Sequence, residues 1–310
     1  MNKVFIDGSA GTTGLRIYER LSSRSDIALL SLPENLRKDI SARRDIMNKA
    51  DIVFLCLPDA AAKEAVGLIE NSTTAIIDTS TAHRIAPDWC YGFPELHGQR
   101  EKISASKRIA NPGCHATGFI SLVRPLREMG ILDSDALLSC FSLTGYSGGG
   151  KSMIADYEGE EKTKDMASPG LYAVAQRHKH LPEMATLCSL DHYPVFSPIV
   201  DDYYSGMATS IPLHASMLKG VKGLKELYEA FADYYKDEAL VSLAEPFSAS
   251  DKYYGGALSG KDYLKIHISG NDERLCLTAL FDNLGKGASG AAIQNMNILL
   301  GVRETTGLIV

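Results

Sequence analysis

Short apolar runs recur through the first third of the chain, each closed by turn residues and followed by a segment of helical period. Val4-Phe5-Ile6 is followed by glycines and then a helical pattern at Leu15, Tyr18 and Leu21. Further runs lie at Ile27 to Leu32, Asp51 to Pro58 and Thr74 to Asp78, with a helical stretch from Ala60 to Asn71. Continuous apolar runs suit strands buried on both faces, and their alternation with helices predicts an α/β fold built on a doubly wound parallel sheet. Ala116 to Met129 reads as a helix with an apolar face at Phe119, Leu122, Val123 and Leu126, kinked or interrupted at Pro125. Beyond it the pattern changes. Ala136 to Leu143, Pro194 to Val200, Met207 to His214, Tyr263 to Ser269 and Arg274 to Phe281 read as strands of a mixed sheet, with helices at Leu224 to Tyr235 and Ala291 to Leu300.

Length and composition fit two soluble domains with sizeable cores: 310 residues and a net charge of −6 with interspersed signs. Such a balance argues against a nucleic-acid or anionic-membrane partner. Six cysteines without Cys-x-x-Cys spacing suggest neither a zinc site nor a disulfide framework. A strand beginning within three residues of Met1 leaves no room for a signal peptide, and no apolar run approaches the ~18 residues of a membrane span. The expectation is a cytoplasmic enzyme.

The first strand leads into Gly8-Ser9-Ala10-Gly11-Thr12-Thr13-Gly14, a strand–glycine turn–helix arrangement that suits a dinucleotide pyrophosphate. The spacing is a variant of the usual glycine fingerprint. Where an acidic residue would hold an NAD ribose, this chain has Ser31, followed by Arg37 and Lys38, which suits the 2′-phosphate of NADP(H). Leu57, Pro58 and Ser80 fall at carboxyl ends of strands and are candidate cofactor contacts. Asn283, before a glycine-rich stretch, is another.

Cys114, in Asn111-Pro-Gly-Cys114, falls at a helix start, where unpaired N–H groups and the helix dipole favour a thiolate. A thiolate nucleophile needs a nearby imidazole, and His178 and His180 stand close to Glu183, which can orient one of them. A metal reading of that cluster would need His192 to fold back as a third ligand, and no metal is expected. Gly145 to Ser152 literally matches an ATPase phosphate loop, but the charged stretch after it lacks a firm apolar stripe. An anion-binding loop using Ser147, Gly148 and Lys151 is the preferred reading. His83, His97, His115, His214 and His267 are read as surface or packing residues.

Together Gly8 to Gly14, Asp78 to Arg84, Asn111 to Gly118, His178 to Glu183 and Asp282 to Gly287 resemble the N-acetyl-gamma-glutamyl-phosphate reductase family, in its short form (type 2). His115 departs from that family, which more usually has an aromatic residue there. The resemblance implies NADPH-dependent reduction of an acyl phosphate to a semialdehyde in arginine biosynthesis, through a thioester on Cys114. His180 would move the proton and Glu183 would orient it or the substrate; Arg84, Asn111, Lys151 and His178 would serve the substrate and its phosphate. It also implies an NADP-binding Rossmann domain of residues 1–113 plus 284–310, an α+β catalytic and dimerisation domain of residues 114–283, and a homodimer or homotetramer. Related acyl-phosphate reductases of aspartate-semialdehyde or aminoadipyl type, a phosphotransferase using Gly145 to Ser152, and a non-catalytic NADP-sensing protein are the alternatives.

Overall fold

The computed structural model describes residues 1–246 and 252–310. The chain divides into two compact units, Met1–Pro112 with Ala288–Leu308, and Gly113–Gly287 with Ile309–Val310.

The first unit runs β1 (Asn2–Asp7), α1 (Thr12–Ser22), β2 (Ile27–Leu30), α2 (Ile40–Met47), β3 (Ile52–Leu55), α3 (Asp59–Val66), β4 (Ala75–Asp78), β5 (Cys90–Tyr91), α4 (Gln99–Ala105) and β6 (Arg108–Ala110). Its six strands are all parallel, in the order β2-β1-β3-β4-β6-β5. Alternation along the strands splits the core into two layers. Val4, Ile6, Ile52, Phe54 and Ile77 face one side, with Ile17 of α1, Ile103 of α4 and Met296 of the last helix, Gly290–Leu299. Phe5, Val53, Leu55 and Ile76 face the other, with Met47 of α2 and Ala62 of α3. This is the expected doubly wound arrangement. The helix read as Ala60 to Asn71 stops at Val66, because the backbone N–H groups of Glu70 and Asn71 donate to the Asn48 side chain instead.

The second unit holds α5 (Cys114–Glu128), β7 (Ser139–Gly145), α6 (Gly150–Glu158), β8 (Gly170–Leu171), α7 (Leu181–Leu187), β9 (Val195–Asp201), β10 (Met207–His214), α8 (Leu224–Tyr234), β11 (Val241–Leu243), β12 (Leu264–Gly270) and β13 (Arg274–Phe281). Among the described residues its sheet has seven strands, β11-β12-β13-β10-β7-β9-β8, and is mixed: β7 and β9 pair in parallel, while β10 pairs antiparallel with both neighbours. The strands alternate as half-buried strands should. Cys140, Ser142 and Thr144 of β7 point inward, and Phe141 points out.

Helix α5 lies directly on β10 and β13. Gly118 makes that approach possible, since a Cβ there would run into the Thr209 side chain and the Phe281 ring. The helix begins two residues earlier than its apolar pattern suggests, at Cys114, and continues through Pro125 without stopping there. Proline supplies no N–H to the carbonyl four residues back. That carbonyl belongs to Ser121, and it accepts instead from the buried Tyr235 hydroxyl at 2.8 Å. Tertiary structure thus replaces the missing helical bond. Residues 150–158, where sequence gives no firm stripe, form α6 nonetheless, with Tyr157 its one buried side chain.

Replacing Tyr235 with Phe leaves the Ser121 carbonyl buried without its donor. We expect a loss of ~1–3 kcal/mol in unfolding free energy, read from urea denaturation; an unchanged midpoint would mean the helix tolerates the proline unaided.

Candidate active site

In the first unit, the end of β1 turns into α1 through Gly8. Gly8 has φ +87°, and a Cβ there would collide with the Cys56 carbonyl of the loop after β3. The strand order reverses between β2 and β3 around β1, and in such sheets ligands bind at this switch point, beyond the carboxyl ends of the strands. Gly11 caps α1 without any side-chain hydrogen bond, so the helix N–H groups that begin at Thr12, Thr13 and Gly14 are not capped by a side chain. A cavity of about 640 Å³ opens here, lined by Gly8, Ala10, Ser31, Arg37 and Leu57 among others. Its size and its uncapped helix end fit a dinucleotide. Asp7 also reaches its wall, but the carboxylate is held by the buried Arg43 guanidinium at 2.8 Å.

Pro58 caps α3. Ser80 donates its hydroxyl proton to the buried Asp78 carboxylate at 2.7 Å, and the His83 ring meets the same oxygen at 2.7 Å. Arg84 donates to the carbonyls of Asn111 and Thr79, each at 3.1 Å, while the Asn111 amide donates to the Ala288 carbonyl at 3.0 Å. These bonds tie together the segments that follow β4 and β6.

In the second unit, Cys114 is half-buried as the first residue of α5, and Gly113 before it provides no side-chain cap. The Gly113 N–H donates to the Glu183 carboxylate at 2.8 Å. Glu183 lies in the first turn of α7 and His180 is that helix's N-cap, so one bond joins the start of α7 to the start of α5. His180 and Glu183 are both buried. The His178 ring stands 4.8 Å from that of His180, and its Nδ1 accepts from the His180 backbone N–H at 3.2 Å. Burial, helped by the charge of Lys179, pushes the His178 imidazole down to about 4, so it is neutral at physiological pH.

The start of the Gly145–Ser152 stretch is tied into the sheet. The N–H groups of Gly145, Tyr146 and Ser147 donate to the carbonyls of Gly206, Tyr203 and Tyr204, each at 3.0 Å. Gly148 follows in a short 3-10 turn, and Lys151 is an exposed residue of α6. Asn283 is buried beneath this turn: its amide donates to Ser147 at 3.0 Å, and its oxygen accepts from the Gly206 N–H at 2.8 Å. Sequence marked Asn283 as a cofactor contact; here its side chain braces the glycine turn.

His115, read from sequence as a packing or surface residue, is buried inside a polar cluster with Ser142 and Tyr172. Neither of those partners carries a motif. The inward position of Ser142 on β7 was the one available signal.

Residues 114–283 match the family described as semialdehyde dehydrogenase, dimerisation domain, and residues 30–106 match semialdehyde dehydrogenase, NAD binding domain. Solved structures share the fold at low identity. An aspartate semialdehyde dehydrogenase II from Vibrio cholerae, complexed with ASA, has a TM-score of 0.72 and 14% identity, covering 97% of this chain and 98% of that one. The aspartate semialdehyde dehydrogenase from Francisella tularensis has a TM-score of 0.72 and 13% identity over 97% of this chain and 100% of its own. Curated sequences are far more similar. An N-acetyl-gamma-glutamyl-phosphate reductase from Brucella anthropi is 47% identical, covering 96% of this chain and 98% of its own. The enzyme of that name from Brucella canis is 45% identical, covering 96% and 99%. With a nucleotide-type crevice in one unit and a cysteine-led helix in the other, the chain belongs to the N-acetyl-gamma-glutamyl-phosphate reductase family.

Proposed function

We propose that this oxidoreductase reduces N-acetyl-L-glutamyl 5-phosphate to the 5-semialdehyde with NADPH and releases phosphate, as a cytoplasmic step of arginine biosynthesis. One observation carries the chemistry: the Gly113 N–H bond to Glu183, which gathers Cys114, His180 and Glu183 at two adjoining helix starts.

Cys114, as thiolate, attacks the acyl carbon; the carbon–sulfur bond forms and the bond to the phosphate oxygen breaks. His180 takes the thiol proton and returns it to the departing phosphate. A nicotinamide cofactor, when bound, supplies hydride to the thioester. The carbon–sulfur bond of the reduced adduct then breaks, and its electrons return to Cys114 as the aldehyde leaves. The N–H groups at the start of α5 are suited to the oxyanion, and Arg84, Lys151 and His178 are candidate contacts for the substrate's anionic groups. Glu183 keeps Cys114 in place through Gly113.

The cofactor's phosphates suit the turn from Gly8 to Gly14. Ser31 and Arg37, without an acid at the end of β2, suit a 2′-phosphate. In the second unit, the outward side chains Phe141, Leu171 and Val195 on β7, β8 and β9 are exposed together on neighbouring strands. An apolar sheet surface of this kind is suited to pairing with a second copy of the chain.

The decisive experiment runs the reaction backward, from N-acetylglutamate 5-semialdehyde, phosphate and NADP⁺, following NADPH absorbance. Phosphate-dependent turnover should fall at least ~10³-fold in Cys114→Ser while NADP⁺ binding persists; full activity in the mutant would discard the thioester. If the wild type instead turns over only aspartate semialdehyde, the substrate assignment fails. Arg37→Ala should lower kcat/KM for NADPH by about 10–100-fold with little change for NADH. Equal losses with both cofactors would remove the 2′-phosphate role. Val195→Arg should dissociate the assembly in sedimentation equilibrium, and an unchanged mass would place the interface elsewhere.

A further inference from the structure

The run from Asp282 to Gly287 follows directly on β13, and Asp282 is fully buried. One oxygen of its carboxylate accepts from the Leu284 and Gly285 N–H groups at 2.7 and 3.1 Å. The other accepts from the Ser205 hydroxyl at 3.0 Å and from the Gly260 N–H. The Asp282 carbonyl accepts from the Gly287 N–H, five residues on, at 2.9 Å, and this bond leads into a π-helical turn, Gly285–Ser289. Behind the turn, a Cβ at Gly285 would collide with the Lys261 carbonyl. Asp282 therefore ties the turn down, and the turn has no room to withdraw on that side.

Gly287 stands against the start of α5. A Cβ there would lie 3.1 Å from the Cys114 Cβ, 3.1 Å from the Asp282 carbonyl oxygen and 3.2 Å from Phe281 Cε2. Carbon atoms in good contact stand about 3.5–4.0 Å apart, so a single methyl obliges a neighbour to give by a few tenths of an ångström. The φ of Gly287 lies outside the left-handed region. The position therefore requires the absence of a side chain, not the backbone freedom of glycine. Of the three neighbours, the Phe281 ring is fully buried and also lies beneath Gly118 of α5, and the Asp282 carbonyl is hydrogen-bonded. Cys114 is only half-buried, so it is the one that moves.

We propose that Gly287 is a positioning residue for the thiol: the turn anchored by Asp282 sets its bare Cα against Cys114 and so fixes where the sulfur stands. The inference rests on Cys114 being the nucleophile. Two supports then meet at the start of α5. Glu183 holds the Gly113 N–H from α7, and Gly287 limits the Cys114 side chain from the end of β13. A nucleophile gains from such restraint because attack needs the reacting atoms ~3–3.5 Å apart and aligned, and a misplacement of ~1 Å costs roughly 10²-fold. Gly287 brings no charge and no side chain to the cysteine. It therefore acts on the place of the thiol and leaves its proton affinity alone.

Gly287→Ala tests this in the full-length protein, with N-acetylglutamate 5-semialdehyde, phosphate and NADP⁺ as reactants. We expect kcat to fall about 5–20-fold. KM for the semialdehyde, NADP⁺ affinity and the pH midpoint of Cys114 alkylation by iodoacetamide should stay close to the wild type. A kcat within about twofold of the wild type overturns the proposal. So does a loss shared with NADP⁺ affinity or with the alkylation midpoint, which marks a general loosening of the fold. Where Gly287→Ala is too unstable to assay, its cost in urea is compared in two backgrounds. Cys114→Gly removes the atom that the methyl meets and Cys114→Ala keeps it, so the cost should be smaller in the first. Equal costs overturn the contact. Undiminished turnover in Cys114→Ser would instead overturn the nucleophile on which the inference rests.

Discussion

The placement of α5 on its sheet is the constraint from which the second unit's chemistry follows. Without a side chain at Gly118, the helix can lie against Thr209 and Phe281. That closeness brings His115 within hydrogen-bond reach of Ser142 on β7. It also leaves the first residue of the helix, Cys114, half-buried rather than sealed in. The Gly113 N–H, which the helix itself does not use, is taken by Glu183. A helix end and a strand face thus set the position of Cys114, through the Gly113 N–H bond to the Glu183 side chain and the bond from the His115 ring to Ser142.

Polar groups placed this deep stabilise nothing unless they satisfy one another. The second unit meets the requirement with lines of donors and acceptors. Thr209, Ser142 and His115 form one; Asn283, Ser147 and the Gly206 backbone form another. Burial keeps His115 and His178 neutral at physiological pH, so neither brings an uncompensated charge into the unit's interior. The same logic holds in the first unit, where Asp7 at the end of β1 is matched by the Arg43 guanidinium.

The first unit was largely legible from sequence because its signals are local. Strands buried on both faces need continuous apolar runs, and those runs are what β1, β3 and β4 contain. The left-handed Gly8 is likewise a single-residue requirement, fixed by the neighbouring loop. Boundaries were less legible. α3 ends early because the Asn48 side chain captures the backbone beyond it, and α5 runs through Pro125 because Tyr235, 114 residues from the Ser121 carbonyl, supplies the missing donor.

By itself, then, the sequence determined the doubly wound sheet, the glycine turn before α1, the cysteine at a helix start and the family resemblance that the comparisons support. Each is carried by neighbours in the chain or by a run of motifs. Tertiary structure decided what surrounds the cysteine. His115 meets Ser142 across 27 residues and Tyr172 across 57, and Asn283 reaches Ser147 across 136. No periodicity encodes such pairs, because hydrogen bonds depend on where side chains arrive in space rather than on their order along the chain. The phosphate-loop spelling of Gly145–Ser152 is overridden at its start for the same reason: the N–H groups of Gly145, Tyr146 and Ser147 are taken by carbonyls some sixty residues downstream, which only the folded sheet brings alongside.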